Sequence, residues 1–223
     1  MPDGQYSFYL HSDDRTDIAA MATISTISQP LRGEFIHTAA TAGAVVYQVD
    51  ARLPALIPVF FAGQLSAVRL CAVMALVSGT WSSLTGLPDE PENGGAALPV
   101  SPETEYQRRR YTLTLQNGRS GERVESVLTE ASSRLRGDLL RNLIITGLAL
   151  HTTAPELPRL LASMPVPPTS VSELQALVQQ MAGTADVNRA AAAVPDTPAA
   201  SAAPVSGSDT REIKKNMRRA FGD

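Results

Sequence analysis

Cysteine is almost missing from this 223-residue chain: a lone Cys71 excludes an intrachain disulfide and any thiolate-rich zinc site. Long hydrophobic runs are missing too. The most apolar stretch, Leu53 to Ala62, is interrupted by Pro54 and Pro58 and reaches about half the ~20 residues of a membrane span, so it reads as core and no membrane partner is expected. No basic, apolar leader opens the chain, which with the single thiol predicts a reducing, cytoplasmic setting. Histidine is scarce, and His11, His37 and His151 are too scattered to assign to a metal or to catalysis. Gly94-Gly95 is not followed by the Lys-Ser/Thr of a phosphate loop, and no nucleophile triad or carboxylate pair has useful spacing. The reading is a protein with no cofactor, no metal and no catalytic residues, not an enzyme.

Net charge is small, 19 basic against 22 acidic residues, but it is unevenly placed. Residues 1–88 carry four Arg and six acids, residues 101–165 nine Arg and seven acids, and residues 209–223 five bases and three acids. A polyanion would therefore meet the second half first.

Composition divides the chain into a first unit (1–86), a linker (87–104), a second unit (105–184), a flexible tether (185–210) and a short basic tail (211–223). The linker is dense in Pro, Gly and acid. The tether, rich in Ala, Pro and Ser, has too few large apolar side chains to offset chain entropy by burial.

The two units repeat one another. Residues 31–80 align without gaps on residues 135–184 at an offset of 104, with twelve identities: Leu-Arg-Gly at both starts, Gly43 with Gly147, Leu53-Pro54 with Leu157-Pro158, and Gly79-Thr80 with Gly183-Thr184 among them. An ungapped match within one chain indicates duplication. Upstream, with one inserted residue, Tyr6–His11 corresponds to Tyr111–Gln116, each alternating as a strand does. Helices are predicted over 13–28 and 120–134, then from about Gly33 to Tyr47 and Gly137 to His151. Shorter ones are predicted over 53–60, 66–78, 157–164 and 170–182.

A single strand with two helices leaves its backbone groups unpaired, so each unit needs the other's strand alongside, antiparallel. Phe8, Leu10, Leu113 and Leu115 would then face the helices. Ser7, Tyr9 and His11 would face out with Arg108, Arg110, Thr112, Thr114 and Gln116. A two-stranded ribbon fits the DNA major groove, and outward Arg, Thr and Gln can hydrogen-bond base edges. The fold class expected is mainly α, two tandem units forming a pseudo-dimer around one short antiparallel ribbon, with helical extensions. Pairing of second units between chains is the alternative.

Arg110–Leu115, the helix after it, and Leu135–Leu150 with its Gly-Leu-Ala-Leu end resemble the ribbon-helix-helix fold, and within it the ParR-type centromere-binding adaptors of plasmid partition systems. The Pro-containing helical continuation to Met181 and the tail with Lys214-Lys215-Asn216 complete the likeness. The resemblance implies a bacterial, plasmid-associated protein that binds double-stranded centromere-like DNA repeats, self-associates on them and captures an actin-like filament of the ParM type. By position it implies base reading by Arg110, Thr112 and Thr114. It also implies a phosphate at the N-terminus of the second helix, at Gly137, helped by Arg136 and Arg141 because Asp138 would repel it. In the first unit Arg32 alone lies near the matching helix start.

The tail has a pattern of its own. Ile213, Met217 and either Ala220 or Phe221 fall on one helical stripe flanked by Lys214, Lys215, Arg218 and Arg219. A helix this short is marginal alone and is expected to fold on a partner with a hydrophobic groove and an acidic rim. A ribbon-helix-helix repressor or antitoxin is one alternative, and a self-assembling structural protein without a DNA role another.

Overall fold

The computed structural model describes residues 4–80, 107–115 and 118–192. The linker 87–104, Gln116, most of the tether and the tail 211–223 lie outside the described residues.

Two strands, β1 (Gln5–His11) and β2 (Arg108–Thr114), form one antiparallel ribbon, as the repeat requires. Partner numbers sum to 119 at every step, from Gln5 with Thr114 to His11 with Arg108. The repeat relates residue i of the first strand to i + 105, so the register is two-fold symmetric about the pair Ser7 and Thr112. The inserted residue is what keeps the inward sets in phase, because a one-residue slip would turn every side chain to the wrong face. The ladder continues past the strands through Leu115 N–H to the Gly4 carbonyl and Ser12 N–H to the Gln107 carbonyl.

Behind the ribbon come α1 (Arg15–Ser25) and α5 (Arg119–Glu130), then α2 (Arg32–Val49) and α6 (Arg136–Thr153), the latter two exactly 104 residues apart at both ends. Asp14 caps α1, accepting from the Asp17 N–H at 3.0 Å. The apolar faces of α2 and α6 run almost all round, and both helices are buried along most of their length, as such a pattern demands. They pack directly against each other. A Cβ on Gly43 would collide with the backbone of Leu143, and one on Gly147 with the backbone of Ala39. Since 39 + 104 = 143 and 43 + 104 = 147, the contact is reciprocal and lies on the same pseudo-two-fold axis as the ribbon.

The extensions are α3 (Leu53–Phe60), α4 (Ala67–Ser78), α7 (Leu157–Ser163) and α8 (Val171–Ala192). Pro54 and Pro158 open α3 and α7 in the first turn, where a missing N–H costs nothing. α4 ends at Gly79, whose φ of 71° suits glycine. α8 departs from expectation: it runs to Ala192, into the segment read as tether. A composition poor in large apolar side chains excludes a core but not a helix, and Ala190 to Ala193 has the highest intrinsic helix propensity, with Pro195 just beyond.

One core serves both units. Phe8, Leu10 and Leu113 from the ribbon are buried with Val124, Val127 and Leu128 of α5, Ile36 and Val45 of α2, and Leu140, Leu143, Ile144, Ile145 and Leu148 of α6. Burying each large side chain contributes roughly 1.5–3 kcal/mol. No helix among the described residues is long and apolar enough to cross a membrane.

Candidate nucleic-acid interface

The alternation of β1 and β2 leaves one face of the ribbon turned away from the core. On it, in register, stand Gln5 opposite Thr114, Ser7 opposite Thr112, Tyr9 opposite Arg110, and His11 opposite Arg108. Arg108, Arg110, Thr112, Thr114 and Gln5 are exposed, and Ser7, Tyr9 and His11 partly so. Seven of the residues expected to read DNA are thus brought together. Gln5 was missed, although it extends the same alternation by one step. The inner face is filled by Phe8 stacked on Tyr111, ring centroids 5.3 Å apart, so the outer side chains rest on a rigid backing. Burial pushes the Tyr111 hydroxyl above its ordinary pKa, opposed by the nearby charges of Arg109 and Arg32.

The arginines are held in place. The Arg108 guanidinium carbon lies 3.5 Å from the centroid of the Tyr9 ring. Arg110 donates to the Ser7 Oγ from Nε at 3.2 Å and from a terminal nitrogen at 2.9 Å. Each reaches the residue diagonally across the ladder, two positions nearer the middle. Planar guanidinium forks fixed at a surface are suited to bidentate acceptors such as the guanine O6 and N7 edge. Arg109, between them, points to the other side and lies over Tyr111 at 5.2 Å.

The residues expected at phosphates have other attachments. Arg136 Nε donates to the Ala131 carbonyl at 3.2 Å, and its repeat counterpart Arg32 donates to the Ile27 carbonyl at 2.8 Å. Both tie down the turn before the second helix. Gly137 does sit beside the ribbon, where a Cβ would come 3.5 Å from the Ser7 carbonyl oxygen. Arg141, expected at a phosphate, instead bonds Asp17 of the other unit: Nε to Oδ1 at 2.7 Å and a terminal nitrogen to the same oxygen at 2.6 Å, with Asp14 at 3.3 Å. Asp17 is fully buried and also accepts the His11 N–H at 2.9 Å. Burial pushes its carboxyl above the usual range, against the pull of the His11 N–H and Arg141. The arginine was legible only as a charge near a helix start. Its partner lies 124 residues away in sequence, a pairing no local pattern reveals.

Beside β1 a cleft runs between Tyr9, Arg108 and the start of α6, lined by the carboxylates of Asp13, Asp14 and Asp138 and by Arg134 and Arg141. Among the described residues no group of three or more His, Cys, Asp or Glu is placed to hold a metal ion. Gln116 and the tail residues Ile213, Lys214, Lys215, Met217, Arg218, Arg219 and Phe221 lie outside the described residues.

A family model described as "Plasmid stability protein" matches the chain twice, over residues 4–74 and again over 109–178. The two matched regions coincide with the two structural repeats and together cover more than half of the chain. No curated protein and no solved structure gives a significant match.

Proposed function

The chain belongs to the plasmid stability protein family, and on that footing we propose that it is a partition adaptor, binding repeated centromere-like double-stranded DNA through its ribbon and coupling that DNA to an actin-like filament through its C-terminal tail. One observation carries the DNA half of this reading: a two-stranded ribbon, narrow enough for a major groove about 12 Å wide, whose outer face presents Arg108 and Arg110 already fixed on Tyr9 and Ser7. Arg108, Arg110, Thr112 and Thr114 supply donors to base edges, and the backbone at Gly137 supplies the approach to a phosphate. Several chains on adjacent DNA repeats present several tails, and tails joined in this way engage a filament end with avidity.

The filament half rests on the tail's pattern, an apolar stripe of Ile213, Met217 and Phe221 between basic residues, and on the likeness to ParR-type adaptors. Electrophoretic mobility shift against fragments of the encoding plasmid tests the first half: a salt-sensitive shift on one fragment is expected, and no shift on any fragment overturns it. Arg110→Ala is expected to weaken specific binding by ~1–3 kcal/mol and relax base preference; unchanged affinity and preference would remove Arg110 from the reading. Deletion of residues 211–223 tests the second half. DNA binding is expected to persist and co-sedimentation with the plasmid's actin-like ATPase to disappear, whereas retained co-sedimentation rejects the tail as the link.

A further inference from the structure

We infer that the ribbon is polar, so that the chain reads a non-palindromic DNA site in one orientation. This rests on the DNA-binding reading above and adds to it how specificity is divided. In a ribbon built from two identical strands each outward side chain occurs twice, once at either end. Here the register is symmetric but the chemistry is not. Ser7 and Thr112, on the axis, are both hydroxyls. At the offset of 105, the described outward residues away from the axis have unlike counterparts, Gln5 matching Arg110 and Tyr9 matching Thr114, and in the sequence alone His11 matches a glutamine and Arg108 an aspartate.

The difference sorts by end. Where β1 finishes and β2 begins stand Tyr9, His11, Arg108 and Arg110. At the opposite end stand Gln5 and Thr114, an amide and a hydroxyl. The flanks differ in the same sense. Asp14 caps α1 beside the arginine end, while Gly118, without a side chain, occupies the matching position before α5. Exposed Asp13, Asp14 and Asp138 line the cleft next to Arg108 together with Arg134 and the Asp17-bound Arg141, so this flank is of mixed charge, and in front of it Arg108 and the Arg110 N–H groups that Ser7 does not engage face base edges. The arginine end therefore selects a half-site rich in guanine acceptors, and the amide-hydroxyl end selects a different half-site.

Selection by the full-length chain from a randomised DNA duplex library tests this. An enriched site with unlike halves is expected, with guanines preferred in one half only. A palindrome built from the other half is expected to bind about tenfold or more weakly than the selected site. Arg110→Gln, which gives the arginine end the residue of its counterpart, is expected to abolish that difference. Gln5→Arg is expected to enrich a site with guanines in both halves. A palindromic consensus for the unaltered chain, or equal affinity for the selected site and both palindromes, overturns the inference. A library that enriches nothing overturns the DNA-binding reading itself, and the polarity with it.

Discussion

At the crossing of α2 and α6, Gly43 and Gly147 each stand where a methyl group would meet backbone of the facing helix. Backbone cannot swing aside as a side chain can, so the helices must separate. Gly147→Ala is expected to cost roughly 3 kcal/mol or more in denaturant unfolding. Gly33→Ala, with open space around its Cβ, is expected to be neutral or to gain about 0.5–1 kcal/mol from helix propensity. Equal effects of the two would refute the close approach. His37 is a second sensitive residue: it is buried, and its Nε2 has no hydrogen-bond partner among the described residues. Burial lowers its pKa from 6.5, with Glu34 opposing. The unfolded chain therefore takes up the proton first as pH falls, so the stability this neutral imidazole contributes is present above about pH 6.5 and declines below it. Thermal melting between pH 7.5 and 5.5 is expected to show that decline, and His37→Leu to flatten it; an unchanged slope would exclude His37 as its source.

Helices and strands were far more legible than the contacts between them. α3 falls over Leu53–Phe60 as expected, since Pro54 marks its start and its apolar residues continue to Phe60. α1 stops at Ser25, short of the expected 28, because Ser28 precedes a 3-10 turn over Gln29–Leu31. The identity of Gly43 with Gly147 was visible as a repeat, but its meaning required knowing that α2 and α6 touch there. The bond from α6 to α1 was invisible for the same reason. By repeat position Arg141 corresponds to His37 and Asp17 to Gly121, so the ion pair exists on one side of the axis only. Removing the arginine leaves a buried carboxylate without its cation. Arg141→Met is expected to cost about 3 kcal/mol. The double variant Asp17→Asn with Arg141→Met is expected to recover part of that loss, and additive losses would argue that the two groups act independently.

At the scale of the whole molecule, both strands of the ribbon belong to one polypeptide. Linked strands meet at an effective concentration that dilution does not change. Binding to a single DNA site is therefore expected to follow a simple saturation curve in chain concentration, with no lag at low concentration. A second-power dependence would mean that two chains must first associate. The fold class, the tandem order and the antiparallel ribbon were readable because duplication repeats every signal. Of the candidate site, the outward placement of the arginines and threonines was readable, because strand alternation decides exposure. The site was not readable where Arg32, Arg136 and Arg141 turn inward to backbone or carboxylate, because a charged residue's sequence position does not disclose which acceptor folding brings within reach.

When a DNA-gripping face is assembled from identical copies, any change in the gene strikes it twice, and a gain at one end is tied to whatever the same change does at the other. A ribbon whose two-fold axis passes between Ser7 and Thr112 of a single chain is released from that tie. Each codon governs one end alone. On the DNA-binding proposal, a target that drifts at a few base pairs is followed by one substitution at the matching end, while the glycine crossing beneath holds both copies to their common frame.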